Sequence, residues 1–473
     1  MPARKTYEKP LQGTQKTQSP KKPSTKKPTK KAKQGHWLWL WLGFSGVAML
    51  SATAGAMLAV SLSSMPLLQS SLSSEEAAIF TKGGKLTRSS MRLPELTRPV
   101  SIMVLGIKVL ASDVDQPTGN TSGYDPTINS FDGLADTMLL LRFDPESKKI
   151  AVLSIPRDTQ VNIEGHGATK INAANDQGGP ALTAKTTSKL LGDVGIDRYV
   201  RVNVQGVEKL IDALGGVEVY VPKDMKYKDD TQHLYIDLKE GKQHLDGNQT
   251  LQLLRFRHDE YGDLGRIQRQ QMVMRALMQQ ALNPGTLARL PKILSVIQSH
   301  IDTNLSVEEL VALVGFGVHT QRSDVNMLIL PGDFNGNGQH EVSYWLPNRR
   351  KIRQMMSQYF DQGYSEAEEG VKQRSVRVAI QDSTNDPGAV QTLVSKLREA
   401  GYRNIYVDTP WKEPLDVTRI VAQQGDESSA SNIRENLEFG DVRVESTGSL
   451  ASDITIQLGK DWLEKQSKGR LNF

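Results

Sequence analysis

TMLLLRFDPESKKIAVLSI, residues 137–155, sets two apolar runs on either side of a polar hexapeptide. Thr137–Phe143 and Ile150–Ile155 have the length and the aliphatic content of buried strands, and residues 144–149 supply the Asp, Pro and Ser of a turn. The stretch therefore reads as a β-hairpin. Upstream lies a further strong strand, Val100–Gly106, followed by a loop rich in Gly, Asn, Asp and Pro from about 111 to 133. Downstream, helices and strands mix. Leu182–Leu191 and Val204–Leu214 look helical, and the second stops at Gly215-Gly216 before the strand Val217–Val221. Helical spacing returns after Arg266, with Ile267, Met272, Val273, Met274, Leu277, Met278 and Ala281 on one broad face until Pro284. The methionines read as core fillers. Thr286–His300 and Val307–Gly315 fit two more helices, the latter capped by Ser306 with Glu309 three residues on. Strands interleaved with helices predict a three-layer α/β domain with a central mixed sheet over residues 98–361.

Beyond it, residues 362–373 form a polar, acidic linker. A second, smaller unit occupies 374–463. It reads strand 375–381, helix 387–400, strand 403–408, strand 416–422, helix 428–438 and strand 441–445, with one more run at 453–458. That order predicts a small α+β domain of the split β-α-β kind.

The amino-terminal end differs in composition. Residues 1–36 carry ten Lys and one Arg against one Glu, so a whole-chain charge of +5 leaves −5 for everything after them. The basic pI belongs to a low-complexity tail without foldable periodicity, which argues against nucleic acid as a partner. No charged residue occurs from Trp37 to Ser74. Residues 37–62 would reach roughly 39 Å as a helix, enough to span a ~30 Å hydrocarbon core with tilt. Trp37, Trp39 and Trp41 sit beside the lysines, where interfacial aromatics belong. The stretch is too long for the apolar region of a cleaved signal peptide. The positive-inside rule leaves a disordered tail in the cytoplasm and the body outside the cell membrane, tethered to the lipid bilayer by one span. Residues 63–97, Ser-rich and weakly patterned, read as a juxtamembrane spacer. The chain has no cysteine, which excludes disulfides, thiol catalysis and Cys-based zinc sites.

The chemistry concentrates in three places. LADTMLLLRF sets Asp136 at the entry of a strand, LSIPRDTQV releases Arg157 just after one, and RFRHDEYGDLGRIQRQQ, residues 255–271, holds Arg257 and Arg266 on either side of an acidic loop. Arg266 and Gln270 are i,i+4 and share one face of the helix that begins there. Planar guanidinium groups gathered at a helix N-terminus suit a phosphate. Competing chemistries fail on residue type, because G-x-S-x-G, H-E-x-x-H and Walker signatures are all missing. His258 lacks a recognisable partner pattern and reads as structural. Asp333-Phe-Asn-Gly-Asn-Gly imitates the front of a calcium loop, but position twelve is Tyr344, so it reads as a turn.

ADTMLLLRF, SIPRDT, KINAAN with GGP, ALGGVEVYVP and RFR…GRIQRQQ, in that order, resemble the LytR–CpsA–Psr family of cell-wall glycopolymer ligases. Residues 375–463 resemble the C-terminal domain that some members carry. The resemblance implies a membrane-anchored phosphotransferase. It would move a glycopolymer from a polyprenyl-pyrophosphate carrier to peptidoglycan, using Mg²⁺ or Mn²⁺. It assigns Asp136 to the metal, Arg157, Arg257 and Arg266 with Gln270 to the pyrophosphate, and Lys170 to the same site. Two positions depart from the family pattern. The Asp expected after the first strand is replaced in Leu105-Gly106-Ile107-Lys108, and the Arg expected before Asp136 is replaced by Leu134. Lysine cannot ligate Mg²⁺, so the resemblance points to Asp113 or Asp115 as the second carboxylate, ahead of Asp125 and Asp132. Hydrolysis of the same pyrophosphate and a non-catalytic scaffold or regulator that binds lipid intermediates stay open as alternatives.

Overall fold

β1 (Val100–Ile107), β2 (Ala135–Asp144) and β3 (Lys149–Ser154) form an antiparallel meander at the centre of the molecule. The computed structural model describes residues 67–80, 84–88, 94–107, 131–230, 234–256, 262–335, 343–362 and 375–470, all within one compact unit, Leu62–Phe473. β4 (Arg198–Asn203), β5 (Ile301–Thr303) and β6 (Val325–Ile329) complete a six-stranded sheet in the order β5-β4-β1-β2-β3-β6. The sheet is mixed: β4 runs parallel to β1 and β6 parallel to β3, while the other neighbours are antiparallel.

Six helices flank it: α1 (Ala173–Leu190), α2 (Val204–Leu214), α3 (Gly262–Ala281), α4 (Thr286–His300), α5 (Val307–His319) and α6 (Arg349–Phe360). Strand alternation decides which layer each side chain joins. Met103, Leu105, Met138 and Leu140 pack under α1 and α6 against Ala181, Ala184, Ile352 and Phe360. Leu139, Val152 and Phe143 face the other way, toward Met274 and Met278 of α3 and Phe316 of α5. The result is the expected three-layer α/β arrangement. The capping box at Ser306 is present, with Glu309 N–H donating to Ser306 Oγ at 3.1 Å and Ser306 N–H to Glu309 Oε2 at 2.9 Å.

α1 starts nine residues before the periodicity at Leu182 suggests. Its first turn, 173–177, is separated from the rest by Gly178 (φ −166°) and Gly179 (φ +63°, ψ −157°). A Cβ on Gly178 would lie 2.7 Å from Leu182 Cδ2, so the GGP motif is a built break. Pro180 then opens the second segment, where a missing N–H costs nothing. The segment read as a spacer is also structured in part. Ser74–Ile79 is a helix, and Phe80 and Leu86 are buried in the core of the domain, two isolated apolar residues that no periodicity announces.

The C-terminal unit departs from the split β-α-β expectation. Its strands are β7 (Arg377–Asp382), β8 (Asn404–Val407), β9 (Arg419–Val421), β10 (Asp441–Arg443) and β11 (Ile454–Leu458), in the order β8-β7-β11-β9-β10. In a split β-α-β unit the two parallel strands are separated by a third. Here β7 pairs directly with β8 and β9 directly with β10, both parallel. The late run enters as β11 between the two units, because all five of its residues are buried and only a central position covers both faces.

The two sheets meet. Met327 and Ile329 of β6 donate backbone hydrogen bonds to the carbonyls of Val444 and Gln423, both at 2.8 Å, and Val444 packs into the core under α6. Lys351–Asp453 and Arg377–Asp333 close the seam, each at 2.6 Å. The latter also occupies the Asp333 carboxylate of the false calcium motif. Among the described residues no helix is long and apolar enough to cross a membrane. Trp37–Leu62 lies outside them.

Candidate functional site

Asp136 owes its position to a β-bulge. Gly106 pairs with Thr137 and Ile107 with Ala135, so Asp136 is the extra residue on β2 with nothing opposite it. A bulge bends the strand and re-aims the side chain it inserts. Here the carboxylate meets Arg157, with Nη1 to Oδ1 at 2.7 Å, and both side chains stay about a quarter exposed at 23% and 27%. Arg157 is presented by a tight turn beyond β3. Thr159, fully buried, donates N–H to the Pro156 carbonyl at 3.0 Å and Oγ1 to the same oxygen at 2.5 Å.

The main chain of Asn172 joins the two segments. Its N–H donates to the Arg157 carbonyl and its own carbonyl accepts from Ala135 N–H, both at 3.2 Å. Three motifs far apart in sequence, around Asp136, Arg157 and Lys170, therefore converge. Lys170 lies at the site, bound to Asp158 at 2.7 Å, with its ammonium 5.8 Å from the Tyr344 ring centroid. Asp158 also approaches Arg157 Nε at 3.5 Å, and its carbonyl accepts from Trp345 N–H. The site is thus an alternating row of acid and base: Asp136, Arg157, Asp158, Lys170.

Behind it lies a layer that sequence reading did not find. Asn175 Nδ2 donates to the carbonyls of Phe131 and Gly133 at 3.0 and 2.9 Å, holding the approach to Asp136. Arg201 Nη1 donates to the same Phe131 carbonyl at 3.2 Å. Arg201 is in turn paired through Nε with Asp302 Oδ2 at 2.6 Å, both side chains nearly inaccessible at 4% and 2%. Ser70 N–H and Tyr199 OH also donate to Asp302, at 2.7 and 3.3 Å. Burial, then the Asp302 charge, pushes the Tyr199 hydroxyl pKa up. The one available signal was Asn175, inside the KINAAN motif.

Of the other expected residues, Gln270 is half-buried on α3. Arg266 belongs to the same helix, one turn before Gln270, and its side chain lies outside the described residues. Arg257, His258, Asp113, Asp115, Asp125 and Lys108 also lie outside them. Arg269, a neighbour in the arginine-rich stretch, is buried at 3% exposure; its Nη2 donates to the Phe256 carbonyl and its guanidinium lies 5.8 Å from the Phe256 ring centroid. That is a packing role. Leu134 is 38% exposed where the family pattern has arginine. Among the described residues no group of three or more His, Asp or Glu could hold a metal ion.

Residues 67–361 match the model of the LytR_cpsA_psr family, and residues 375–462 that of the LytR cell envelope-related transcriptional attenuator domain. Regulatory protein MsrR of Staphylococcus aureus (strain COL) is 36% identical over 199 residues, 41% of this chain and 59% of MsrR. The polyisoprenyl-teichoic acid–peptidoglycan teichoic acid transferase TagV of Bacillus subtilis (strain 168) is 30% identical over 274 residues, 56% of this chain and 65% of TagV. The chain thus spans less than two thirds of the length of either relative. The crystal structure of B. subtilis TagV aligns at 29% identity with a TM-score of 0.46, over 56% of this chain and 99% of that one.

Proposed function

Because this chain belongs to the LytR–CpsA–Psr family, we propose that it is a membrane-anchored phosphotransferase that moves a glycopolymer from a polyprenyl-pyrophosphate carrier to peptidoglycan. The observation that carries this reading is the Asp136–Arg157 pair at 2.7 Å, held by a bulge and by Asn172 at one end of the central strands. The naming of TagV as a teichoic acid transferase supports it. So does the apolar face of the sheet beneath α3 and α5, where Met274, Met278 and Phe316 are only partly buried and offer a surface for an isoprenoid tail.

In the reaction, a sugar hydroxyl of peptidoglycan attacks the phosphorus that bears the glycopolymer. The bridging P–O bond breaks, polyprenyl phosphate departs with the electron pair, and the hydroxyl proton passes to solvent or to a carboxylate. Such a transfer needs positioning and charge neutralisation more than a side-chain nucleophile. Arg157 grips phosphate oxygens through its planar fork, with Arg257, Arg266 and Gln270 completing the cradle. Lys170 adds a positive charge and Asp158 keeps it in place. A single partly open carboxylate suits Mg²⁺ or Mn²⁺, since Mg²⁺ is commonly held by one or two carboxylates with substrate phosphates and water. Asp136 would hold the ion, with Asp113 or Asp115. When bound, the ion neutralises charge on the pyrophosphate.

The test uses the full chain in detergent with a polyprenyl-pyrophosphate-linked glycopolymer and purified peptidoglycan. Covalent attachment of polymer to peptidoglycan, with one polyprenyl phosphate released per attachment, is the expected result. Release without attachment would make it a hydrolase. Neither product, with lipid substrate bound, would make it a scaffold.

The body is placed outside the cell membrane by an uncleaved span at 37–62, with the tail in the cytoplasm. The length of the apolar stretch and its lysine-rich flank support this. Amino-terminal sequencing of the protein extracted from membranes should begin at or near Met1. A start near Met57 would mean that the span is a signal peptide.

A further inference from the structure

A cavity of about 330 Å³ opens where α3 of the first domain faces the C-terminal domain. It is distinct in register from the candidate active site. Gln271 and Arg275 are i,i+4 on α3, about 100° around the helix from the Arg266–Gln270 face. Opposite them stand Trp411 and Pro410, on the segment that follows β8. Trp411 is fixed by its backbone N–H to the Asp382 carbonyl at 2.8 Å, and its ring lies 5.9 Å from the Arg275 guanidinium. Tyr220 provides a further aromatic surface.

Three observations define what the cavity takes. Its walls combine flat apolar surfaces, Trp411, Tyr220 and Pro410, with amides and hydroxyls from Gln271, Gln381 and Thr447. Flat rings beside amides match a pyranose, which has an apolar C–H face and a polar rim. Next, Gln271 Nε2, Thr447 Oγ1 and Trp411 Nε1 are buried without a hydrogen-bond partner, although Gln271 and Thr447 are only 8% and 5% exposed. An unsatisfied buried group is costly, so three around one cavity are accounted for by a ligand that reaches them after a rotamer change. Finally, the charge is unbalanced. Four cations, Lys223, Arg269, Arg275 and Lys412, line it with two carboxylates, Glu240 and Glu413, and Arg275 also lies 3.8 Å from Glu445. Behind them Arg419 leaves Nη1 unpartnered, and its cation is disfavoured by burial and by the Arg275 and Arg443 charges. An anion in the cavity relieves that crowding.

From this we infer that the seam between the two domains is a saccharide-binding site for one or two sugar units carrying a negative charge. A cavity of this size lies at the small end of the ~300–1,000 Å³ range of ligand sites. The C-terminal domain is then a glycan-holding module that completes a pocket on the first domain. The site rests on the proposed transferase reading only for its choice of probes, since the anionic sugar could belong to the polymer or to the muramic acid of the peptidoglycan strand.

The experiment is calorimetric titration of the full chain in detergent with three probes. These are a GlcNAc–MurNAc tetrasaccharide, a phosphodiester-linked sugar oligomer, and neutral chitotetraose. Binding of either anionic probe at least tenfold tighter than chitotetraose is expected, and the tighter of the two identifies the source. Trp411→Ala and Gln271→Leu should each weaken it tenfold or more. Lys412→Glu, on an exposed residue, should do so with no change in the thermal midpoint, and Arg157→Ala should leave binding unchanged even if transfer is lost. Equal binding of the neutral probe, binding unaffected by Trp411→Ala, binding of a sugar-free stem peptide in place of the saccharides, or no binding of any probe at millimolar concentration would each overturn the assignment.

Discussion

Asp136→Ala lowers glycopolymer transfer to background, a loss on the order of 10²–10³-fold or more for a group that organises charge at the reacting phosphate. Two effects combine. The variant removes the carboxylate proposed to hold a divalent ion, and it removes the partner of Arg157 Nη1 at 2.7 Å. The fold itself should be little affected. Both side chains are about a quarter exposed, so Arg157 stays hydrated beside Asp158 and the lost pair is worth on the order of 1 kcal/mol or less. Transfer measured beside a denaturation curve separates these cases. Asp113→Ala or Asp115→Ala should only lower turnover and raise the Mg²⁺ concentration needed for half-maximal rate. Full, metal-independent turnover in Asp136→Ala would mean that arginine and lysine alone neutralise the pyrophosphate, and the metal assignment would be wrong.

Asp302→Ala is expected to cost about 3–5 kcal/mol of stability, the penalty for stranding a buried arginine. Arg201 is shielded from water, and the variant also removes the acceptor of the Ser70 N–H and the Tyr199 hydroxyl. The double variant Arg201→Met/Asp302→Leu should recover much of the loss, because no charge is then left unpaired. Urea denaturation of the three proteins decides it. A single variant within 1 kcal/mol of the parent would show that water reaches Arg201. The same pair also supports the site, since Arg201 holds the Phe131 carbonyl on the way into Asp136. Transfer by the double variant should therefore fall even where stability recovers.

Long, strongly patterned elements were legible from sequence. α2 and α4 occupy the expected residues, and the hairpin at 137–155 differs only at its ends. What escaped was set by partners distant in the chain. Nothing local marks Asp136 as a bulge residue, because the bulge depends on how β2 registers against Gly106 and Ile107. The Arg201–Asp302 pair spans 101 residues, and its third member, Ser70, sits in a segment whose composition suggested a spacer. The order of the second sheet was hidden for the same reason. β11 reads as a stray apolar run until both β7 and β9 are there to flank it. The pairing of Lys170 with Asp158, twelve residues apart, depends on the return of the chain through the 160–170 hairpin and was not legible either.

β6 stands last in the central sheet, and the outermost strand of any sheet carries a row of free amides and carbonyls that invites adhesion to another chain. In this molecule that row is not left open. The N–H groups of Met327 and Ile329, two residues apart and so on the same side of the strand, are taken by the carbonyls of Val444 and Gln423. The C-terminal domain therefore acts as a selvedge, finishing the border of a fabric that would otherwise fray or snag. A chain shortened at residue 361 would lose more than a module: it would expose an unfinished border and the hollow left by Val444. Wherever many copies are crowded together, that border would be the place where neighbouring molecules catch on one another.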